Sequence, residues 1–255
     1  MLGFTNGVRD SQMLEGLKPG EVDVWYVWPE RITDEHLHRH TQILSNDERI
    51  RAESFRFESD RNLHLLSKAF VRILLSRYTS IDPSVWEFTR NEYGKPAISQ
   101  PASATHIRFN ISHTRGLIAG VFALNSTVGI DAENHHQQVD VLSIAHNYLS
   151  TTEYSVLCDV ATSDRHRRFL EYWTLKEAYA KAEGMGMSMD LSRFTFEIHN
   201  EKASISFHSK PAEDSAFWKF QLLRPGPDHT AAVAVCCPLR CDVQLNINDG
   251  TFLMQ

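Results

Sequence analysis

Two segments of the chain carry the same signal for the start of a helix, and their context indicates an internal repeat. Leu44-Ser-Asn-Asp-Glu48 and Leu149-Ser-Thr-Thr-Glu153 both have the form of a capping box, in which a serine and a glutamate bind each other's backbone N–H groups. A stretch with helical apolar periodicity follows each box, at 60–78 and at 165–183. The shared order of strand, short helix, long helix and further strands predicts a duplicated α/β unit. Chance similarity between two ordinary α+β halves is the alternative, because few residues are identical.

The boundary between the halves is expected at the polar stretch Asn125-Ser126-Thr127. This boundary predicts an N-terminal extension (1–20), an N-terminal α/β half (21–125), a C-terminal α/β half with a metal site (126–240) and a C-terminal tail (241–255). Apolar patterns predict strands at 21–28, 86–90, 107–111, 117–124, 128–132, 194–198, 203–207, 217–223 and 230–237. A functional site is expected in the cleft between the halves.

Composition narrows the class of protein. The 255 residues are 42% hydrophobic, which is enough for a substantial core, and the net charge of −6 argues against a dedicated nucleic-acid-binding protein. No apolar run reaches the roughly 18 residues of a membrane span, and residues 1–20 lack the pattern of a signal peptide. The four cysteines match no common zinc motif and are expected to be reduced. These features predict a soluble, cytoplasmic protein.

Basic residues nevertheless gather in two places. One group is Arg49, Arg51 and Arg56, and the other lies between Arg165 and Arg168. Solvated helix faces explain most runs of this kind, and an anion-binding site is the less common explanation. The sequence alone favours the solvated helix face at both places.

Glu177 lies on the apolar arc of the second long helix, next to Trp173 on the helical wheel. A buried and unpaired carboxylate is costly, so Glu177 is expected to be paired or bound to a metal. Upstream, the strand Val128-Gly-Ile-Asp-Ala-Glu133 places Asp131 and Glu133 together on one face. Carboxylate oxygens from a strand and a helix are the ligands that a hard cation prefers. The sequence therefore predicts a magnesium site, and with it an enzyme.

Three further segments provide hydrogen-bond donors suited to phosphate. Phe109-Asn-Ile-Ser-His113 ends a predicted strand with a hydroxyl and an imidazole. Asn91-Glu-Tyr-Gly-Lys-Pro96 is a predicted turn that presents Lys95. Lys181 follows Glu177 by one helical turn. Magnesium together with lysine and histidine donors is suited to binding a pyrophosphate.

Simpler explanations exist for each of these residues taken alone. His113 fits a structural histidine, and Lys95 fits an ordinary exposed lysine. Glu177 and Lys181 are spaced to form a helix-surface ion pair worth about 0.3 kcal/mol. That pair accounts for Lys181 but leaves the position of Glu177 on the apolar arc unexplained.

Taken together, these segments resemble the Sfp-type (group II) 4′-phosphopantetheinyl transferases, which activate carrier proteins. The similarity covers roughly residues 40 to 200, and the motifs occur in the family's order. The motifs are Gly94-Lys95-Pro96, Phe109-Asn-Ile-Ser-His113, Val128-Gly-Ile-Asp-Ala-Glu133 and Trp173-Thr-Leu-Lys-Glu-Ala-Tyr-Ala-Lys181. The resemblance implies the 4′-phosphopantetheinyl transferase fold, a pair of α/β halves related by pseudo-twofold symmetry.

The resemblance also implies a reaction and its cofactors. The 4′-phosphopantetheine arm of coenzyme A is transferred to a serine of an apo acyl or peptidyl carrier protein, and adenosine 3′,5′-bisphosphate is released. Asp131, Glu133 and Glu177 match the family's magnesium ligands. Glu177 is the candidate base for the acceptor serine, and Lys181 matches the lysine near the pyrophosphate. A monomer that serves secondary-metabolism synthetases is expected, and carriers of fatty-acid synthesis are the alternative partners.

Four positions match the family's contacts to coenzyme A. Ser112 and His113 match contacts to its phosphates, and Lys95 matches a contact on the nucleotide side. Where family members present basic residues to the 3′-phosphate, this chain has Glu48 at one place and Arg51 at the other. Only Arg51 therefore matches the family's basic contacts to the 3′-phosphate.

Two other functions compete with the transferase. One is a non-catalytic module that binds coenzyme A or a carrier protein, which has no need for an inward-facing Glu177. The other is an unrelated metal-dependent phosphohydrolase, which is disfavoured because no pair of water-activating metal sites is recognisable.

Overall fold

A computed structural model of the chain describes residues 4–7, 16–136, 140–208, 215–237 and 242–255. Two helices in it have 22 residues each and begin 104 positions apart (162 minus 58), close to the spacing of the two capping boxes. The α-helices are α1 (Asp34–Thr41), α2 (Asn46–Glu53), α3 (Glu58–Thr79), α4 (Val141–Tyr148), α5 (Thr151–Asp159) and α6 (Thr162–Glu183). Short 3-10 helices lie at Pro29–Arg31, Pro83–Val85, Ala102–Ala104, Gly186–Ser188, Leu191–Arg193 and Thr251–Met254.

The strands form two five-stranded sheets and a separate hairpin. Their bounds are β1 (Phe4–Gly7), β2 (Glu21–Val27), β3 (Glu87–Arg90), β4 (Pro96–Gln100), β5 (Ile107–Thr114), β6 (Leu117–Leu124), β7 (Val128–Asn134), β8 (Phe194–His199), β9 (Lys202–Phe207), β10 (Trp218–Gly226), β11 (His229–Cys236) and β12 (Val243–Asp249). The first sheet has the order β1-β12-β2-β6-β5, the second β7-β11-β10-β9-β8, and β3 pairs with β4. Pairing is antiparallel except at β12, which runs parallel to both β1 and β2.

The two sheets pack face to face between two layers of helices. Side chains from β2 and β6 meet side chains from β7 and β11 in a central apolar cluster that includes Val24, Val121, Ile130 and Val233. The outer face of the first sheet packs on α3, and the outer face of the second packs on α6. The inner strands are therefore buried on both sides, which explains their nearly continuous apolar sequences.

The structure confirms the mixed α/β fold and both capping boxes. Ser45 and Glu48 cap α2 reciprocally, and Ser150 and Glu153 do the same for α5. Each predicted strand corresponds to an observed one, with ends that differ by a few residues. The sequence analysis did not predict α4 or β4. The latter begins at Pro96, inside the stretch that was interpreted as a turn.

The strand β12 lies in the part of the chain that the sequence analysis assigned to a C-terminal tail. It inserts between β1 and β2, in the sheet whose other strands precede residue 125. The buried Asn246 of β12 donates a hydrogen bond from Nδ2 to Asp23 Oδ1 of β2, at 2.8 Å. Because its partners lie more than 200 residues away, no local pattern reveals that these residues complete a sheet.

The structure can be compared with the expectations about the cysteines and about membrane-spanning helices. Cys158, Cys236 and Cys237 carry free thiols, as expected, and Cys241 lies outside the described residues. Within the described ranges, no helix combines the length and the apolar character needed to cross a membrane.

The helix α6 lies unusually close to β7, and a glycine makes this possible. A Cβ atom added to Gly129 would lie 2.1 Å from the carbonyl oxygen of Ala178 and 2.5 Å from the backbone nitrogen of Ala182. Both contacts are far shorter than van der Waals distance, so any other residue at this position would push the helix away. Gly129 therefore sets the separation between β7 and α6.

Gly129→Ala is expected to lower the free energy of unfolding by about 1–3 kcal/mol, the usual cost of overpacking a core. Gly16→Ala is the matched control, because its added Cβ would have only an ordinary contact of 3.6 Å with the Tyr78 carbonyl oxygen. Urea unfolding of both variants measures the difference. Equal stabilities for the two variants would show that α6 does not depend on Gly129 for its position.

Candidate active site

The strand β7 presents two carboxylates to α6. Its side chains alternate, so that Val128, Ile130 and Ala132 enter the central apolar cluster while Asp131 and Glu133 point to the opposite side. This is the face on which Gly129 admits α6. The arrangement follows the period-two pattern predicted from the sequence.

The site lies at the seam between the two sheets, where β5 runs beside β7. The two strands belong to different sheets, and side chains of β5 connect them. Asn110 Oδ1 accepts a hydrogen bond from the backbone N–H of Ile130 at 2.9 Å, and Ser112 Oγ accepts one from Ala132 at 3.3 Å. Buried N–H groups of β7 are satisfied in this way. The seam also brings Ser112 next to Asp131.

Asp131, Ser112 and Lys181 form a compact polar group. Lys181 Nζ lies 2.6 Å from Asp131 Oδ1 and 3.0 Å from Ser112 Oγ, and Ser112 Oγ also lies 3.0 Å from Asp131 Oδ1. Lys181 thus makes its ion pair across the seam with Asp131, rather than along the helix with Glu177. The second carboxylate oxygen of Asp131 is buried and has no hydrogen-bond partner among the described residues.

Glu133 and Glu177 complete a set of three carboxylates. Trp173 Nε1 donates a hydrogen bond of 3.2 Å to Glu133 Oε1. Burial raises the pKa of Glu133 to about 7, and the negative charge of Asp131 adds to this shift. Burial and Asp131 also raise the pKa of Glu177. The mutual repulsion shows that the three groups share one electrostatic environment, in which additional positive charge is favourable.

His113 follows Ser112 on β5 and continues the site toward α3. The residue keeps solvent access, but nearby protein partly desolvates its imidazole, and this lowers the pKa of His113. The positive charges of Lys181 and Lys68 lower it further. Cationic groups therefore lie on both sides of His113.

A cleft of about 510 Å³ opens beyond His113 and is lined by Arg51, His64, Lys68 and Arg90, with Asp47, Glu48 and Phe55. We call it the basic cleft. Lys68 forms no hydrogen bond or ion pair with any described residue, and burial lowers its pKa. The Nε2 atom of His64 is buried and also lacks a partner in the described structure. Lys68 and His64 therefore keep hydrogen-bonding capacity that no described residue uses.

Glu48, which departs from the family's basic pattern, does not cancel the charge of this cleft. One of its oxygens lies 2.9 Å from Arg72 Nη2, whose side chain is only 2% exposed, and the same carboxylate caps α2. Glu48 is therefore neutralised by a buried arginine. Arg51, Lys68 and Arg90 leave the basic cleft with a net positive charge.

Lys95 joins the β3–β4 hairpin to the end of α6. Its Nζ donates hydrogen bonds to the carbonyl oxygens of Ala182 at 2.6 Å and Val128 at 3.2 Å. Asn91 Nδ2 makes a similar bond of 2.8 Å to Gly184 O. Burial lowers the pKa of Lys95 to about 8. Lys95 also lines a second cleft, of about 530 Å³, between the hairpin and α6.

Comparison with known proteins agrees with this geometry. A family model described as the 4′-phosphopantetheinyl transferase superfamily matches residues 127–236, and one described as 4′-phosphopantetheinyl transferase, N-terminal, matches residues 29–123. The chain belongs to the 4′-phosphopantetheinyl transferase family. The matched regions meet between β6 and β7, close to the predicted boundary of the halves.

Curated relatives extend the match over most of the chain. A phosphopantetheinyl transferase of Thraustochytrium sp. is 30% identical over 75% of this chain and 70% of the relative. The 4′-phosphopantetheinyl transferase HetI of Nostoc sp. is 29% identical over 84% of this chain and 87% of HetI. The 4′-phosphopantetheinyl transferase Sfp of Bacillus subtilis is 29% identical over 76% of this chain and 84% of Sfp.

The structure of this phosphopantetheinyl transferase brings most of the predicted site residues together. Ser112, Asp131, Glu133, Glu177 and Lys181 meet at the seam, and His113 borders them. Arg51 and Lys95 lie in the neighbouring clefts.

Sequence reasoning missed three basic residues of the basic cleft, His64, Lys68 and Arg90. The available signal was a lysine among the apolar positions of α3, where Leu66, Ala69 and Phe70 are buried. A charged residue on an apolar helix face is also the signal that identified Glu177 on α6. For Glu48, no local pattern shows that its partner is Arg72, 24 residues further along the chain.

The three carboxylates fit a divalent cation by their chemistry. Among the described residues, no three His, Cys, Asp or Glu side chains are close enough together to form a preassembled metal-ligand group. However, Asp131 has a buried oxygen without a partner among the described residues, and burial together with the charge of Asp131 raises the pKa values of Glu133 and Glu177. An oxygen-only set with surplus negative charge suits magnesium.

The raised pKa of Glu133 gives a test that does not depend on activity. The folded protein keeps the proton of Glu133 up to about pH 7, whereas the unfolded chain releases it at lower pH. The stability from this group is therefore present at acid pH and is lost as the pH rises toward 7. We expect magnesium to raise the melting temperature at about pH 8, where the carboxylates are ionised, and to change it little at about pH 5.

Melting curves in EDTA and in magnesium chloride, at both pH values, measure this effect. The control is Glu133→Gln, which removes the titrating group and should reduce the magnesium response at high pH. The assignment of Glu133 to the magnesium site would be contradicted if magnesium raised the melting temperature equally at both pH values. It would also be contradicted if Glu133→Gln left the effect of magnesium unchanged.

Proposed function

We propose that this protein transfers the 4′-phosphopantetheine arm of coenzyme A to a serine hydroxyl of an apo acyl or peptidyl carrier protein. The main support is the polar group of Asp131, Ser112 and Lys181 beside Glu133 and Glu177, in a chain of the phosphopantetheinyl transferase family. The serine oxygen forms a bond to the phosphorus that bears the pantetheine. The P–O bond to the nucleotide breaks, and adenosine 3′,5′-bisphosphate leaves with the electron pair.

Lys181 and Glu177 have different roles in this reaction. Lys181, held by Asp131 and Ser112, places a positive charge where negative charge increases on the pyrophosphate. Glu177 accepts the proton of the acceptor serine. Its pKa is raised by burial and by Asp131, which makes it a better base near neutral pH than an ordinary carboxylate.

Asp131, Glu133 and Glu177 would together hold the magnesium ion. When bound, magnesium supplies charge neutralisation at the pyrophosphate oxygens. Ser112 and His113, at the end of β5, lie against the phosphates of coenzyme A: His113 donates a hydrogen bond, and Ser112, whose hydroxyl proton points to Asp131, holds Lys181 in place. Ser112 and His113 come from the first half of the chain and the carboxylates from the second, so both halves contribute to one site.

The nucleotide end of coenzyme A occupies the clefts beyond His113. Lys68, Arg51 and His64 contact the 3′-phosphate in the basic cleft, since Lys68 and His64 otherwise lack polar partners in the described structure. Lys95 contacts the nucleotide from the hairpin side, where it is already fixed by the end of α6.

The two competing functions receive no support. The matching families and the curated relatives are transferases by name, and neither a binding module nor a phosphohydrolase appears among them. The service to secondary metabolism, the cytoplasmic location and the monomeric state stay predictions.

A transfer assay tests the proposed function. The protein is incubated with coenzyme A, magnesium and an apo carrier protein, and mass spectrometry detects one added phosphopantetheine on the carrier. Glu177→Gln keeps the shape of the side chain but removes both a ligand charge for the metal and the proton acceptor, so turnover should fall by about 10²–10⁴-fold. Glu197→Gln, an exposed glutamate on β8, is the control and should be fully active. Near-normal turnover in Glu177→Gln would rule out its role as base.

Lys68→Ala tests the nucleotide assignment. Loss of a charged contact to the 3′-phosphate is expected to raise the KM for coenzyme A about tenfold or more. Dephospho-coenzyme A lacks that phosphate, so its KM should be the same for the variant and the wild type. Lys202→Ala, on the exposed strand β9, provides the control. If Lys68→Ala raised the KM values for coenzyme A and dephospho-coenzyme A by the same factor, Lys68 would not contact the 3′-phosphate.

A further inference from the structure

Three arginines converge on a single glutamate in the first half of α6. Arg168 Nη1 lies 3.0 Å from Glu171 Oε2, Arg167 Nε lies 3.7 Å from Glu171 Oε1, and Arg224 of β10 contacts the same Oε1 atom. The Glu171 side chain is 9% exposed, and those of Arg224, Arg168 and Arg167 are 27%, 34% and 62% exposed. We call Arg167, Arg168 and Arg224 the arginine cluster.

The arginine cluster holds more positive charge than its partner neutralises. One carboxylate faces three guanidinium groups, on a chain whose net charge is −6. The charges of His166, Arg224 and Arg167 also lower the pKa of the neighbouring His135, after the effect of burial. The sequence analysis favoured a solvated helix face for Arg167 and Arg168. Their convergence with Arg224 from another element instead produces a concentrated positive surface.

This surface borders the candidate active site. Trp173, two residues after Glu171, donates its hydrogen bond to Glu133. On the neighbouring strand, Thr230 is the register partner of Glu133 and accepts a hydrogen bond of 3.2 Å from Arg224 Nη1. The cluster therefore reaches the site through direct neighbours of Glu133.

The arginine cluster and the second cleft, which Lys95 lines, lie at opposite ends of the carboxylate site. Lys95 binds to the beginning of β7 and the end of α6, where it lines the second cleft. Glu171 lies about 16 Å along α6 from Ala182, at a rise of 1.5 Å per residue. Asp131, Glu133 and Glu177 occupy the interval between the two ends.

Phosphoryl transfer places the attacking and the leaving oxygens roughly in line. If the nucleotide leaves toward the second cleft, an acceptor in line with the leaving oxygen approaches from the opposite end, where the arginine cluster lies. The guanidinium groups remain partly exposed on the outer surface, so they can contact the face of a macromolecule. We infer that the arginine cluster is the docking surface for an acidic face of the acceptor protein. This inference rests on the proposed transferase function.

The test reverses two of the charges and leaves the third in place. In Arg167→Glu/Arg168→Glu, Arg224 still pairs with Glu171, so the buried carboxylate keeps a partner. The control variant Arg39→Glu/Arg193→Glu makes the same charge change at exposed arginines that pair with Glu35 and Asp190. Circular dichroism establishes that both variants are folded. The milder Arg167→Gln is measured as well, in case the double reversal does not fold.

The probe is an acidic apo acyl carrier protein. We expect the double reversal to raise the KM for the carrier about tenfold or more, with the KM for coenzyme A unchanged. The carrier KM of the wild type should rise between about 0.05 and 0.5 M salt, whereas that of the double reversal should depend less on salt. Arg167→Gln should give a smaller effect in the same direction. A carrier KM equal to that of the control variant, or an equal rise in the KM for coenzyme A, would overturn the inference.

A binding measurement separates this inference from the proposed function. A carrier whose acceptor serine is replaced by alanine cannot react, but it presents the same acidic face. Its affinity for the wild type should be at least about tenfold higher than its affinity for the double reversal. If this difference is found and no transfer occurs, the transferase function fails while the docking surface stands. If transfer occurs and the affinities are equal, the docking surface fails alone.

Discussion

The close contact between α6 and β7 is the constraint on which the rest of the site depends. Gly129 has no side chain, and therefore the backbone of α6 can lie against β7 at a distance that no other residue would permit. Asp131 and Glu133 extend from the strand, and Glu177 and Lys181 from the helix, across this short gap. The ion pair of 2.6 Å between Lys181 and Asp131 spans it directly. The absence of a Cβ atom at Gly129 thus allows the charged groups of β7 and α6 to come into contact.

The sequence predicted the parts of the site that depend on local periodicity. The alternation along β7 and the position of Glu177 on a helical wheel indicate faces, and the structure confirms the faces of β7. Local periodicity does not identify partners. It left open whether Lys181 pairs with Glu177, and tertiary packing instead provides Asp131 from another element. The pairing of Glu48 with Arg72 and the insertion of β12 also depend on contacts distant in sequence.

The two halves of the chain are joined by polar contacts as well as by their apolar faces. Asn110 and Ser112 of β5 accept hydrogen bonds from β7, and Lys95 and Asn91 hold the end of α6 and the turn after it. Hydrogen bonds are directional, so they fix the register of the halves more tightly than apolar contact alone. The hairpin that lines the second cleft is therefore positioned by the same helix that carries Glu177 and Lys181.

The insertion of β12 has a consequence for biosynthesis. Its neighbours in the sheet are β1 and β2, which leave the ribosome long before it, and the gap between them can close only when residues 243–249 emerge. Until then, Asp23 of β2 lacks the amide of Asn246 that binds it in the finished protein. The first sheet is therefore completed last, and the N-terminal half cannot mature as a separate cotranslational unit.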